Sequence, residues 1–120
     1  MSLQQAIEQV NTINRPAFIP YVMAGDGGLA NLPSIISRLE KLGATAIEIG
    51  IPFTDPVADG PVIEEAGMRA LANGTTLKKV IETLRTNRNE FSIPLIFMSY
   101  LNPILAYGQE QFARDAYEAG

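Results

Sequence analysis

The chain has 120 residues, of which 47% are hydrophobic, and its formal net charge is −4. This length allows one globular domain at most. Because the balance is acidic and Lys and Arg form no cluster, nucleic acid and anionic membranes are poor candidates as partners. No apolar run approaches the roughly 18 residues of a membrane span, and the N-terminus is not a signal peptide. We therefore expect a cytoplasmic protein.

The sequence contains neither cysteine nor histidine. The lack of cysteine excludes disulfides and thiolate chemistry. The lack of histidine excludes Ser-His-Asp triads, His-ligated zinc and the commonest general base, and we expect no bound metal. Any acid–base chemistry must come from carboxylates, tyrosines or lysines.

The first predicted elements are a helix, a strand and a second helix. Ser2 and Gln5 form a capping box for an amphipathic helix that residues 14–16 end. The apolar run 17–23 is typical of a strand buried on both faces of a parallel sheet. A glycine-rich turn leads to a helix closed by Gly43. Its buried side is formed by Leu32, Ile35, Ile36, Leu39 and Leu42.

The second predicted strand, Thr45–Gly50, carries an acid among apolar residues. Side chains alternate across a strand, so we place Ile47 and Ile49 against the helices and leave Ala46 and Glu48 facing the interior. Burying an ionised glutamate is costly because desolvation disfavours its charge. The strand can keep Glu48 if this side chain points into a cavity, where it suits acid–base catalysis. An edge-strand position that reaches solvent is the alternative.

The loop after this strand carries two more acids, Asp55 and Asp59. Active sites of α/β barrels are built at the carboxyl ends of the parallel strands, from residues at the strand ends and in the loops that follow, and these acids fit that pattern. Read locally, Asp59 before Gly60 and Pro61 is a helix N-cap. Asp55 before Pro56 is an ordinary turn residue.

Two helices are predicted after this loop. Pro61 suits the first turn of a helix that runs to Gly74. Thr75 or Thr76 caps the next helix. The buried side of that helix is formed by Leu77, Val80, Ile81 and Leu84.

A third strand, Ile93–Ser99, is broken by residues 100–103. The last predicted helix, Gln109–Ala119, buries Phe112, Ala113 and Ala116. Strands thus alternate with helices long enough for right-handed crossovers. Both an open doubly wound sheet and part of a (β/α) barrel fit. The absence of G-x-G-x-x-G and P-loop motifs weakens a nucleotide-binding version, whereas a closed barrel needs about 250 residues.

The segment from Ile47 to Gly60, IEIGIPFTDPVADG, resembles the signature of the tryptophan synthase alpha chain family. Further matches are FIPY followed by AGD in 18–26, and MSY, NPI and YG in 98–108. Gly27 departs from the family, which often has proline there. The resemblance implies a (β/α)8 TIM barrel. Residues 1–120 would be the N-terminal part of that single domain, with an N-terminal helix and the first three β/α units, ending before the fourth strand.

The resemblance also implies a carbon–carbon lyase of tryptophan biosynthesis. The family cleaves indole-3-glycerol phosphate to indole and glyceraldehyde 3-phosphate by a retro-aldol reaction without metal or organic cofactor. Indole then passes to a beta subunit that carries pyridoxal phosphate, in an alpha2-beta2 complex. Glu48 would shuttle a proton between the indole ring and the glycerol hydroxyl. Asp59 would accept the indole N–H and stabilise the positive charge that develops there.

The resemblance assigns two further groups of residues. Tyr21, Met98 and Tyr100 would shape the indole pocket, although by default both tyrosines are core aromatics with a polar tip. The surface facing the beta subunit would include Pro52, Phe53, Asp55, Pro56, Asn102 and Pro103.

Two alternatives follow from what these residues lack. Barrel enzymes usually bind substrate phosphate through loops after the seventh and eighth strands, and no Arg or Lys lies near the predicted site to replace them. The 120 residues alone would then be a catalytically silent fragment or a binding module that retains the partner-facing loop. The other alternative is a different phosphosugar-cleaving TIM-barrel lyase. Three strands cannot close a barrel, which would leave an apolar patch of Tyr21, Met23, Ile96, Met98 and Tyr100 uncovered.

Overall fold

A computed structural model describes all 120 residues and contains one sheet of three parallel strands. The strands are β1 (Tyr21–Met23), β2 (Ile47–Gly50) and β3 (Leu95–Met98), and they lie side by side in chain order. The helices are α1 (Leu3–Thr12), α2 (Leu32–Lys41), α3 (Pro61–Ala72), α4 (Leu77–Thr86), α5 (Leu101–Tyr107) and α6 (Gln109–Ala119). Short 3-10 turns cover Leu29–Asn31 and Arg88–Glu90. No helix combines the length and the apolar character that crossing a membrane requires.

The central strand β2 sets the position of the predicted acid. Glu48 lies opposite Tyr21 on β1 and opposite Ile96 on β3, so it has a strand on each side. The edge-strand alternative for Glu48 is therefore wrong. The next residue on the same face, Gly50, lies between Met23 and Met98.

The core lies between one face of the sheet and the helices. Ile47 and Ile49 are fully buried and belong to a cluster that includes Ile36 of α2 and Val80 and Ile81 of α4. The predicted alternation along β2 is confirmed, because the isoleucines pack toward the helices. Removing one such side chain from a core typically costs about 2–5 kcal/mol.

Two predicted helix caps are confirmed. The hydroxyl of Ser2 accepts from the backbone N–H of Gln5 at 3.2 Å, and the Gln5 side chain accepts from the Ser2 N–H at 2.9 Å. Thr76, rather than Thr75, caps α4 by accepting from the Lys79 N–H at 3.2 Å. The four residues predicted for the buried side of α4 are all buried.

The strands are shorter than predicted, and β1 is half-buried rather than buried on both faces. Only three residues of the run 17–23 pair regularly, because Pro20 has no N–H to donate to the ladder. Before Pro20 the chain pairs irregularly. The Thr45 N–H donates to the Phe18 carbonyl at 2.7 Å, and the Phe18 N–H donates to the Thr45 hydroxyl at 3.0 Å.

Residues 100–103 do end the third strand, but one helix was not predicted and two further predictions were wrong. The segment after β3 forms helix α5, and Pro103 fits its first turn because the N–H groups there have no helical partner. Leu42 is 77% exposed because α2 ends at Lys41 and the helical periodicity stops with it. On α6, Ala113 is exposed and Ala119 is buried instead.

A polar cluster joins the outer helices α4, α5 and α6. Asp115 accepts a short hydrogen bond from the Tyr107 hydroxyl and a 2.9 Å bond from Gln111, and it lies 3.3 Å from the Arg85 guanidinium. The Tyr107 hydrogen bond is the main reason why the pKa of Asp115 is lowered. Burial, and then the bond to Asp115, raise the pKa of Tyr107 to about 12.

The Tyr107 hydroxyl should make stability depend on pH in the alkaline range. A group whose pKa is raised on folding stabilises the fold below its unfolded pKa, here about 10, and loses that contribution as pH rises through about 12. We expect Tyr107→Phe to reduce the fall in the free energy of unfolding between those limits, measured by urea denaturation at several pH values. Tyr117→Phe, at an exposed tyrosine, is the control. An equal fall in the free energy of unfolding with rising pH in wild type and in Tyr107→Phe would contradict this expectation.

The outer edges of β1 and β3 have no partner strand, and Met98 is 57% exposed beside one of them. Unpaired edges next to apolar side chains favour association. We expect these 120 residues, produced alone, to self-associate or to behave as a partly ordered monomer in sedimentation experiments. A cooperative, well-folded monomer at all concentrations would refute this.

Candidate active site

A cavity of about 150 Å³ opens at the carboxyl ends of the three strands. The predicted catalytic and substrate-binding residues Tyr21, Asp59, Met98 and Tyr100 line it together, although they come from three separate stretches of the chain. The other lining residues are Met23, Ile51, Phe53, Pro56, Ala58, Ile63, Glu64, Gly67 and Ser99. The strand ends, the loop after β2 and helix α3 thus enclose one site, as the predicted barrel geometry requires.

Glu48, the predicted acid–base residue, does not line this cavity. It is half-buried and lies one pleat below Gly50 on the same face of β2. The Tyr21 side chain covers Gly50, since a Cβ built there would lie 1.9 Å from the Tyr21 hydroxyl oxygen. Tyr21 therefore lies between Glu48 and the open part of the cavity.

The electrostatics of Tyr21 connect the two predicted acids. Burial raises the pKa of Tyr21, and the negative charges of Asp59 and Glu48 raise it further. Both carboxylates are thus close enough to act on one phenol. At neutral pH the phenol remains a hydroxyl that can donate a hydrogen bond.

Asp59 is held by its backbone and not by its carboxylate. Its N–H donates to the Pro56 carbonyl at 3.1 Å, and its carboxylate accepts no hydrogen bond from the protein. The N-cap of α3 is Gly60, without a side-chain cap, so the N-cap interpretation of Asp59 is wrong. Helix α3 begins with Pro61, which removes one of the N–H groups that lack a helical partner in the first turn. The carboxylate is left available to a ligand.

Tyr100 contacts the loop that carries Asp59. Its hydroxyl accepts a hydrogen bond from the Ala58 N–H at 2.8 Å. Its ring lies 5.2 Å from the ring of Phe53, centroid to centroid and tilted by 33°. Tyr100 is therefore both a wall of the cavity and a support for the loop.

The residues predicted to face a partner have different environments. Asp55 and Asn102 are exposed at the same end of the sheet as the cavity, and Asp55 accepts from the Thr54 hydroxyl at 2.8 Å. Pro103 is half-buried in α5. Phe53 and Pro56 turn toward the cavity, whereas Pro52 is buried and presents no surface. Their role in contacting a partner stays a prediction.

Sequence reasoning missed the contribution of α3. Ile63, Glu64 and Gly67 line the cavity, and Glu64 adds a second carboxylate to that of Asp59. The available signal was the spacing of Ile63 and Gly67, four residues apart on one helix face just after Pro61. Helix α3 lies next to β1 at Gly67, where a Cβ would make an ordinary contact of 3.5 Å with the Met23 methyl carbon. No three or more acidic side chains converge in a way that suits a metal ion.

Parallel strands alternating with helices, with an acidic site at the carboxyl ends, define a protein of the α/β-barrel class. Within that class, the chain belongs to the tryptophan synthase alpha chain family, whose model matches residues 7–120. The tryptophan synthase alpha chain of Oceanobacillus iheyensis is 52% identical over 118 residues, which is 98% of this chain and 45% of the relative. That of Bacillus cereus is 55% identical over 106 residues, which is 88% of this chain and 41% of the relative.

Solved structures agree with this assignment. The tryptophan synthase subunit alpha from Legionella pneumophila superposes with a TM-score of 0.95 at 39% identity, covering all of this chain and 47% of that one. A tryptophan synthase structure from M. tuberculosis, in an aminoacrylate-bound form, superposes with a TM-score of 0.91 at 30% identity. This match covers all of this chain and 49% of that one. The barrel interpretation is therefore confirmed over the open doubly wound sheet. The chain spans about half the length of the curated relatives it matches.

The contact between Gly50 and Tyr21 predicts how the site responds to one added methyl group. Gly50→Ala should move the Tyr21 ring, since the new carbon would lie 1.9 Å from its hydroxyl oxygen and 2.5 Å from its Cζ. These atoms end a rotatable side chain, so we expect a change in cavity shape with a loss of stability of about 1 kcal/mol. A crystal structure of the variant and its denaturation curve measure both effects. Tyr21→Leu should restore stability to Gly50→Ala, and an unmoved Tyr21 would contradict the prediction.

Proposed function

We propose that the full-length protein containing these residues is a tryptophan synthase alpha subunit. It would cleave indole-3-glycerol phosphate to indole and glyceraldehyde 3-phosphate, and residues 1–120 would be the N-terminal part of its barrel. The observation that carries this proposal is the joint position of Asp59, Tyr21, Met98 and Tyr100 around one cavity, in a chain of this family. The charge of Glu48 acts on the same Tyr21.

Glu48 is proposed as the general acid–base group. In the retro-aldol reaction the bond between the indole ring and the glycerol chain breaks. The ring carbon gains a proton, and the adjacent hydroxyl loses one as it becomes the aldehyde of glyceraldehyde 3-phosphate. One carboxyl group can deliver the first proton and accept the second, so that the proton count balances. Pairing with a strand on each side fixes the backbone that carries this half-buried group.

Asp59 is proposed as the partner of the indole N–H. Protonating the ring carbon leaves positive charge on the ring nitrogen, and a nearby carboxylate stabilises that charge most when it is fully developed. The carboxylate of Asp59 lines the cavity and has no hydrogen bond within the protein to give up. The side chains of Tyr21, Met98 and Tyr100 would form the walls against the indole ring.

Other parts of the proposal lie outside these residues. The phosphate would be bound by loops later in the barrel, where its binding energy helps to orient the indole. The exposed end of the loop after β2, including Asp55, together with Asn102 and its neighbours, would face a beta subunit in an alpha2-beta2 complex. Pyridoxal phosphate would be bound by that subunit, and this chain would need no cofactor. The cytoplasm is the compartment that this biosynthetic role implies.

The two acids can be tested by removing their charge at constant size. In the full-length protein, Glu48→Gln and Asp59→Asn should each lower kcat for indole release by about 10² or more, as expected for loss of a group that acts on the transition state. Glu65→Gln, at an exposed acid that does not line the cavity, is the matched control. Near-wild-type rates in both site variants would overturn the roles.

Turnover of a phosphosugar without an indole ring would indicate a different barrel lyase. Binding of a beta subunit without any indole release would indicate a binding module.

A further inference from the structure

The loop from Pro52 to Asp59 is tied to the rest of the protein by few hydrogen bonds. Its backbone bonds are internal, from the Val57 N–H to the Asp55 carbonyl at 2.8 Å and from the Asp59 N–H to the Pro56 carbonyl at 3.1 Å. These bonds shape the loop but do not fix it against the sheet. The one hydrogen bond that leaves the loop joins the Ala58 N–H to the Tyr100 hydroxyl, at 2.8 Å.

Tyr100 is well placed to fix this loop. It lies two residues after the end of β3 and is the N-cap residue of α5, so its backbone is held between two regular elements. Its ring packs against Phe53 near the beginning of the loop, while its hydroxyl holds Ala58 near the end. One side chain thus contacts both ends of a segment that makes no other hydrogen bond to the rest of the protein.

The held residue, Ala58, immediately precedes Asp59. Only the φ and ψ angles of Ala58 and one planar peptide separate the Ala58 amide from the Asp59 Cα, so displacing this amide displaces Asp59 unless those two angles compensate. The Asp59 carboxylate has no hydrogen bond within the protein that could hold it independently. Its position over the cavity therefore depends on the backbone before it.

We propose that Tyr100 is a positioning residue for Asp59, acting through the Ala58 N–H, and that its hydroxyl is not a hydrogen-bonding group for the substrate. This inference rests on the proposed function, because it assigns Asp59 to the indole N–H. A segment with a single external hydrogen bond opens locally more often when that bond is lost. A displacement of about 1 Å at a catalytic group is enough to lower a rate substantially.

The first test measures the loop and needs no activity. In the full-length protein, Tyr100→Phe keeps the ring against Phe53 and removes only the acceptor of the Ala58 N–H. We expect hydrogen exchange of the Ala58 amide, measured by NMR, to rise about tenfold, the effect of losing one hydrogen bond. Tyr117→Phe removes a hydroxyl from an exposed tyrosine with no hydrogen-bond partner, and it should leave Ala58 unchanged. If the Ala58 amide exchanged at the same rate in Tyr100→Phe and in wild type, Tyr100 would not hold the loop and the inference would be overturned.

The second test is a double-mutant cycle with indole release as the readout. Tyr100→Phe should lower kcat about tenfold with little change in KM, because positioning of Asp59 matters most in the transition state. In the Asp59→Asn background the same change should have almost no effect, since the residue that Tyr100 positions is already inactive. Additive losses, or a raised KM with unchanged kcat, would mean that Tyr100 acts on the substrate directly and would overturn the inference.

The two tests separate the inference from the proposed function. If the wild-type protein releases no indole, the proposed function fails, and the catalytic part of this inference fails with it. Exchange at Ala58 still decides whether Tyr100 holds the loop. If indole is released and Tyr100→Phe behaves as wild type in both tests, the function stands and the positioning role is refuted.

Discussion

The alternation of side chains along β2 is the constraint on which the rest of the structure depends. Ile47 and Ile49 are fully buried against the helices, which forces Glu48 and Gly50 to the opposite face. A shift of one residue in register would exchange these faces and place a carboxylate in the core. Burial of two isoleucines therefore secures the position of the acid more firmly than any contact that the acid itself makes.

The neighbouring strands β1 and β3 supply the side chains that surround Gly50 of β2. Tyr21 comes from β1 and covers Gly50, and Met98 comes from β3 at the same level of the sheet. The loop after β2 then folds over these side chains and is supported by Tyr100. The site is thus distributed over three strand ends, and each strand contributes at a position that parallel pairing determines. Its residues come from three separate stretches of the chain, 21–23, 51–67 and 98–100, which the parallel pairing of the strands brings together.

Much of this arrangement could be predicted from the sequence, for physical reasons that differ between residues. Apolar periodicity identified the buried face of α4, and the short-range pattern of Ser2 and Gln5 identified the cap of α1. Alternation along β2 assigned the faces of the central strand. These properties depend on local spacing, which a single sequence contains.

Other features depend on where elements meet in space, and local patterns do not contain that information. Helix α5 was missed because Asn102 and Pro103 usually end an element, although a first helical turn tolerates both. Asp59 has the local pattern of an N-cap, but the geometry of the chain makes Gly60 the cap. Glu64 lines the cavity only because α3 approaches β1 at Gly67. The contact between Tyr100 and Ala58 joins residues that no short-range rule relates.

The agreement between strand order and chain order has a consequence for synthesis on the ribosome. Strands β2 and β3 each pair with the strand made just before them, so neither has to wait for a later segment in order to find this neighbour. The sheet can therefore grow by addition at one edge as the polypeptide emerges, with β1 and α2 in place before β2 arrives. At every stage the newest strand has an unpaired outer edge, as β1 has, and these edges are surfaces that a ribosome-associated chaperone would need to cover.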